Sequence, residues 1–450
     1  MEPTPDSILP VLSGSDAQSQ IEQFLQEVVA WLDVVPPAPP RRGRPTILPS
    51  LCLWLGLVVC VLRGKTHQRD VWRLLAHGGL WSYPCFEIGD DAVYARLDTE
   101  GAGPMRGLLA QVTQVLTERL APYVQRDLAP FATEVVALDE TTLDQMARRL
   151  PCLRQVPAGD PALIGGTLAG LFDLRRQQWR TIAYRTDWQQ NEKMAARELI
   201  ADLPRGSLIL ADLGYFGFQW FDDLTDAGHH WISRVRQKTS YEVIHTLYQD
   251  GTTLDAVVWL GKYRADRAKH AVRLVQFTVN HVQYQYFTNV LDPQRLSLRD
   301  IAGLYQRRWD FEMAVNTVKT HLGVQLLWSS KPVVIEQQVL ATLILAQILQ
   351  ALRLEIAGRA EVDPFEVSLA LLIRYLPDFA AQGHDPIAAF LTNARRVGFI
   401  RPSTRTINRA PVIDPALLVP LPRDLILVRI PRYANRNCGP KHDRAHPRRN

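Results

Sequence analysis

The sequence predicts an α/β protein: a mixed-sheet core, a β-rich insertion within it, and helical regions on both sides. Three observations carry that prediction. From Glu134 to Ala211 short apolar runs recur with the lengths and composition of strands. From Arg236 to about Val290 a second stretch is again β-rich, and alternation there marks half-buried strands. Before and after, from Ile47 to about Tyr123 and from Ile335 to Tyr375, apolar residues recur at helical spacing. A chain of 450 residues, 47% hydrophobic and 22% charged, can bury a sizeable core and is long enough for two to four domains.

Residues 1–46 read as an N-terminal helix, Asp16 to Leu32, followed by the Pro-rich linker VVPPAPPRRGRP. Within it, Arg42-Gly43-Arg44-Pro45 resembles the core of an AT-hook, an extended Arg-Gly-Arg that lies in a narrow minor groove; the other reading is a basic linker. Residues 47–125 read as helical. Ile47 to Arg63 is a buried helix, Thr66 to His77 is amphipathic, Gly78-Gly79 makes a turn, Asp90 to Leu97 opens a third helix, and Pro104 to Leu120 is a fourth. Arg63, Lys65, Arg69 and Arg73 cluster there, as in a helix-turn-helix-like DNA reader or a bundle with a solvated basic face.

The core, residues 130–330, begins with strands at Glu134 to Leu138, Leu163 to Leu174 and Trp179 to Tyr184. A helix at Asn191 to Leu203 precedes a fourth strand, Leu208 to Ala211; a helix at Phe218 to Ala227 and a strand at Trp231 to Val235 follow. Three strands, a helix and a fourth strand is the order of a ribonuclease-H-like sheet. The insertion, about 236–290, contains a hairpin of His270 to Asn280 with Val282 to Phe287. Ser297 to Gly323 reads as one helix, started by a Ser297/Asp300 capping box and stopped at Gly323. Residues 331–428 read as a helical C-terminal region with helices at Ile335 to Ala357 and Pro364 to Tyr375. Residues 429–450, with six Arg and one Lys against one Asp, read as a basic tail.

Five scattered cysteines without CxxC spacing argue against a disulfide framework or structural zinc site and fit a reducing compartment. The acidic, Pro-containing start is unlike a signal peptide. The apolar runs Ile47 to Leu62 and Val339 to Leu352 are broken by Pro49, Ser50, Gln347 and Gln350, so buried helices rather than membrane spans are expected. No Gly-x4-Gly-Lys-Ser/Thr motif is present, and no nucleotide cofactor is expected.

Chemistry concentrates at three carboxylates. Asp139 follows the apolar run VVAL and Asp212 follows LILA, so each is expected at the carboxyl end of a buried strand, where α/β sheets commonly place ligands. On the Ser297–Gly323 helix, Tyr305, Arg308, Glu312 and Lys319 fall within about 60° of one another. Asp139, Asp212 and Glu312 in one pocket would repel unless a cation joined them, which implies Mg²⁺ or Mn²⁺, as two ions.

Tyr-x2-Arg-x3-Glu-x6-Lys, at Tyr305, Arg308, Glu312 and Lys319, resembles the signature of insertion-sequence transposases of the family-four type, a branch of the DDE transposases with a ribonuclease-H-like core. Leu-Asp-Glu-Thr-Thr around Asp139 and Ala-Asp-Leu-Gly-Tyr around Asp212 resemble that family's aspartate motifs. The resemblance implies binding of double-stranded DNA at inverted terminal repeats, hydrolysis at the element end, transfer of the 3′-hydroxyl end to target DNA, a homodimer on DNA and a cytoplasmic, nucleoid-associated location. It implies metal ligation and catalysis by Asp139, Asp212 and Glu312, and phosphate contacts by Tyr305, Arg308 and Lys319. A base-stacking Trp is implied as well: Trp259 is the available one in the insertion, unless it is a packed core residue, and Trp309 is another. Two further readings stay open: a metal-dependent nuclease of the same fold without strand transfer, and a transposase-derived, non-catalytic DNA-binding protein.

Overall fold

The computed structural model describes residues 47–433, apart from 81–82, 145–163, 186–191, 263–265, 325–326, 382–384, 393 and 404–408. The expected helix at Asp16 to Leu32, Arg42 and Arg44 of the AT-hook-like stretch, and most of the basic tail lie outside the described residues.

The ribonuclease-H-like order is present. Strands β1 (Val135–Asp144), β2 (Ile164–Asp173) and β3 (Gln178–Arg185) form an antiparallel meander. Strand β4 (Leu208–Ala211) lies parallel to β1 on its other side, and β5 (His230–Arg234) lies parallel to β4. The insertion continues the same sheet. Its strands are β6 (Tyr241–Asp250), β7 (Thr253–Leu260), β8 (Val272–Val279) and β9 (Val282–Thr288); β9 pairs with β5, so one nine-stranded sheet runs β3-β2-β1-β4-β5-β9-β8-β7-β6. The β8–β9 hairpin turns on Asn280 and His281, both with positive φ, as a two-residue turn matched to strand twist requires.

Period two decides what each face of the core buries. Val135, Ala137, Leu208 and Leu210 point into one hydrophobic cluster, while Val136, Leu138, Ile209 and Ala211 point into another. The second cluster is covered by two helices from the strand connections, Glu192–Ile200 and Phe218–Asp226. The first is shared with the helical flanks: α1 (Ser50–Leu62), α2 (Gln68–Arg73), α3 (Asp90–Glu100), α4 (Gly103–Arg119) and the helix Pro332–Ala360. The regions expected at 47–125 and 331–428 thus share one core. The Pro332–Ala360 helix is long and apolar enough to cross a membrane, but its most apolar window is wholly buried inside the protein.

Several sequence expectations are corrected. The expected basic cluster is partly neutralised, since Arg69 pairs with Asp90 and Arg73 with Asp70. The expected helix Pro364 to Tyr375 is interrupted: a short turn at Pro364–Glu366 gives way to a bridge between Val367 and Ile400 before a helix runs Leu369–Ala381. The start of the expected basic tail is paired backbone, because Arg429 N donates to Lys269 O and Arg432 bridges Arg267.

The long helix bonds β3 through one glutamine, Gln347. Beside the irregularity in the β2–β3 pairing, Trp179 N donates to Gln347 Oε1 at 2.8 Å and Trp179 O accepts from Gln347 Nε2 at 3.0 Å, so a side chain completes the outer edge of this strand. Gln347→Leu would leave both backbone groups buried and unbonded. It is expected to cost about 2–3 kcal/mol, seen as a lower urea midpoint at unchanged slope; an unchanged midpoint would show that Leu packs there without loss.

Candidate active site

Strand parity and register bring the two aspartates together. Parallel pairing of β1 with β4 ends at Leu138↔Ala211, so Asp139 and Asp212 leave the paired stretch side by side. Both follow the phase of Ala137 and Leu210, toward the face covered by the segment Ser297–Gly323. Asp139 does not end its strand as expected: β1 continues to Asp144, with Asp139 opposite Gly170 of β2. What ends at Leu138 is only the parallel pairing, because β4 stops at Ala211 and opens the sheet there.

The segment carrying Glu312 is also not one helix. The capping box forms as expected, with Ser297 Oγ accepting from Asp300 N and Asp300 accepting from Ser297 N. Helix α5, here Leu298–Gln306, then tightens: Arg308 N donates to Tyr305 O, Asp310 N to Arg307 O and Phe311 N to Arg308 O, all three residues apart. Helix α6, Trp309–Asn316, follows and loosens into a π-turn at Thr317–His321, where Leu322 N reaches Thr317 O. Gly323, with positive φ, closes the segment.

A polar clamp behind the helix holds the tight turn. Asp310, 1% exposed, accepts from Arg307 Nε at 2.6 Å and from Gln177 Nε2 at 2.9 Å. Gln177, itself buried with positive φ in the β2–β3 turn, also accepts from Arg353 of the long helix. Sequence reasoning passed over these residues. The Arg307/Asp310 spacing was a visible signal, whereas nothing local marks Gln177.

The clamp turns Arg308 to the other side, into the carboxylates. Its Nη1 donates to Asp139 Oδ2 at 2.7 Å, its Nη2 donates to Glu312 Oε1 at 2.8 Å, and its Nε lies 3.8 Å from Asp212 Oδ1. Asp139, Asp212 and Glu312 therefore converge, around one guanidinium. Burial pushes the Asp139 carboxyl up to about 6; Asp212 and Glu312 add to the rise, and the Glu140 N–H and Arg308 oppose it. Lys319, in the π-turn, donates to Thr141 Oγ1 at 2.7 Å and to Thr142 O, beside Asp139 on β1. Tyr305 packs 5.1 Å from the Tyr286 ring, and burial holds its phenol up to about 12, so it stays protonated.

The tryptophans differ in surroundings. Trp259 is 9% exposed and packs with Leu247 and Leu427, while the Arg429 guanidinium sits 4.4 Å above its ring. Trp309 is 57% exposed, next to Arg308.

As for a metal, among the described residues no group of three His, Cys, Asp or Glu side chains is arranged to hold an ion. The fit lies in donor chemistry: three carboxylates already share one cationic partner, and such an all-oxygen set suits hard divalent ions such as Mg²⁺ or Mn²⁺.

A ribonuclease-H-like sheet that brings Asp, Asp and Glu together around one guanidinium is an arrangement similar to that of the DDE class. A model of the transposase DDE domain matches residues 168–348, a stretch that holds Asp212 and Glu312, while Asp139 joins them through the β1–β4 register. Over 203 residues the chain is 26% identical to the transposase InsG for insertion sequence element IS4 of Escherichia coli K12, covering 42% of this chain and 45% of that relative's length. The piggyBac transposase, in a synaptic complex with hairpin DNA, superposes with a TM-score of 0.39 at 10% identity, over 90% of this chain and 88% of that one. Over residues 168–348 the chain is thus similar to a transposase DDE domain, and the partial match to the IS4 transposase is of the same kind.

Proposed function

We propose that the protein is a transposase that binds the inverted ends of an insertion sequence, hydrolyses the phosphodiester at each end and joins the freed 3′-hydroxyl to target DNA. The observation that supports this best is the convergence of Asp139, Asp212 and Glu312 from two strands and a helix onto one guanidinium. In this reading those three residues hold the divalent ions, which when bound supply an activated water or hydroxyl and stabilise the leaving oxygen. The protein's own side chains position the strand. Arg308 offers two-pronged donation to a phosphate and Lys319 a point charge beside β1. Tyr305, kept protonated by burial, offers a donor. Trp309 presents an exposed ring for a base beside a cleft of about 740 Å³ that Met313, His321, Arg353, Phe365 and Arg401 also line. A homodimer would hold two ends, and Arg42 and Arg44 would reach AT-rich flanking DNA.

Joining of a labelled end fragment to plasmid in Mg²⁺ tests the reading. Cutting without joining would favour a nuclease, and binding with neither would favour a non-catalytic binder.

Lys319→Ala tests the phosphate role. Each side chain that neutralises a phosphate releases counterions, so the salt slope of end binding is expected to fall by about one unit. Mn²⁺ affinity should stay within about twofold, as a phosphate contact removes no metal ligand. An unchanged slope with lost Mn²⁺ binding would place Lys319 in the metal site instead.

A further inference from the structure

We propose that Arg308 is an internal counter-cation that closes the carboxylate pocket in the absence of DNA, and that a DNA phosphate draws it off before a divalent ion loads. This rests on the transposase reading above and adds an order of binding to it.

The geometry carries it. The three nitrogens of the guanidinium each face a different carboxylate, at 2.7 Å, 2.8 Å and 3.8 Å. Asp139 Oδ2 and Glu312 Oε1, which an ion would need, are already hydrogen-bonded to it. Guanidinium and metal therefore compete for the same oxygens, and two cations sharing them would repel. Arg308 is 8% exposed, so its charge is poorly screened by solvent and its neutralising effect on the carboxylates is strong.

The grip is also incomplete. Arg308 Nε is buried without a hydrogen-bond partner, its approach to Asp212 being too long for one. A phosphate, which accepts two parallel N–H bonds from a guanidinium, offers the side chain a better-satisfied alternative. Asp212 and Glu312 are the more open of the three carboxylates, with side chains 44% and 37% exposed, so the pocket is reachable from the side where a strand would lie. Once Arg308 turns to the phosphate, three carboxylates are left with a net need for positive charge. Metal affinity must then rise with DNA binding, and by linkage DNA affinity must rise with metal by the same factor. The consequence is a pocket that acquires its ion on DNA.

The test is Mn²⁺ affinity of the full chain, read from free Mn²⁺ by electron paramagnetic resonance, with and without a short duplex copied from the DNA bordering the gene. For the wild type, the duplex is expected to tighten Mn²⁺ binding about tenfold or more, a coupling of roughly 1.4 kcal/mol. Arg308→Gln, without DNA, is expected to bind Mn²⁺ about tenfold more tightly than the wild type, and its further gain from the duplex should shrink to under about threefold. Arg308→Lys keeps the charge that the fold expects but cannot span three carboxylates, so it should fall between the two. Melting curves report whether each variant is folded, and if Arg308→Gln is not, the Arg308→Lys comparison decides. Equal or weaker DNA-free Mn²⁺ binding by the folded variants would overturn the proposal. Asp139→Asn separates the two levels: if it leaves Mn²⁺ affinity unchanged the pocket is not the ion's site and the transposase chemistry fails, whereas a loss there with no gain in Arg308→Gln removes only the counter-cation role.

Discussion

Asp139→Asn is expected to lower Mg²⁺-dependent cleavage of end DNA by about a thousandfold or more, roughly 4 kcal/mol of transition-state stabilisation, with end binding held within about threefold. The substitution changes charge with little change of shape. The Asn Oδ1 can still accept from the Glu140 N–H, as Asp139 Oδ1 does at 2.8 Å, so the strand is kept. What is lost is a carboxylate at the point where β1 and β4 part, the most buried of the three and so the least replaceable by solvent. Asp212→Asn and Glu312→Gln should also lower cleavage strongly, because each removes another carboxylate of the proposed metal set even though those two are more open to solvent. Cleavage within tenfold of wild type by any purified, folded variant would remove that residue from the proposed metal set.

Asp255→Ala should be the most damaging of the substitutions away from the pocket, costing about 3–5 kcal/mol of stability. Arg273 and Asp255 are both fully buried between β7 and β8 and make two bonds, Nε to Oδ1 at 2.7 Å and Nη2 to Oδ2 at 2.6 Å. Removing the carboxylate strands a guanidinium without a countercharge in the sheet. The pair also reaches the site, since Arg273 Nη1 donates to the carbonyl of Leu296, the residue before the Ser297 cap of α5. Loss of the pair therefore loosens the joint between the insertion and the segment that carries Arg308 and Glu312. The double substitution Asp255→Leu with Arg273→Met removes both charges and should recover most of the loss. Urea denaturation of the two variants decides: a single-variant cost below about 1.5 kcal/mol would mean that Arg273 finds other partners or water.

Much of this was legible from local rules. The Ser297/Asp300 capping box is a contact between residues three apart, so sequence spacing alone defines it. The β8–β9 hairpin is likewise local, as two strands separated by two residues leave few turns to choose from. The meander, the helix and the returning parallel strand were each visible as a period, and with them the fold class. Asp139, Asp212 and Glu312 could be singled out because each ends an apolar run or sits in a patterned polar face.

Other features depend on partners far away in sequence. Whether Trp259 offers a ring to a base depends on Arg429, and nothing near Trp259 announces that partner. The break in the expected single helix depends on Gln177, more than a hundred residues upstream, which pairs with Asp310 only once the β2–β3 turn is docked. The expected basic reader at Arg69 and Arg73 lost part of its charge to Asp90 and Asp70, one of them on the next helix.

By itself the sequence determined the strand and helix periods and the capping box, and it singled out the acids and bases proposed for the site, since those features follow from patterns repeated over a few residues. Only the tertiary structure decided that Arg308 occupies the middle of the carboxylates. That outcome needs the β1–β4 register, the clamp on Asp310 and the tight turn together, and the field of three like charges in a partly dry pocket selects the nearest cation once they are brought close.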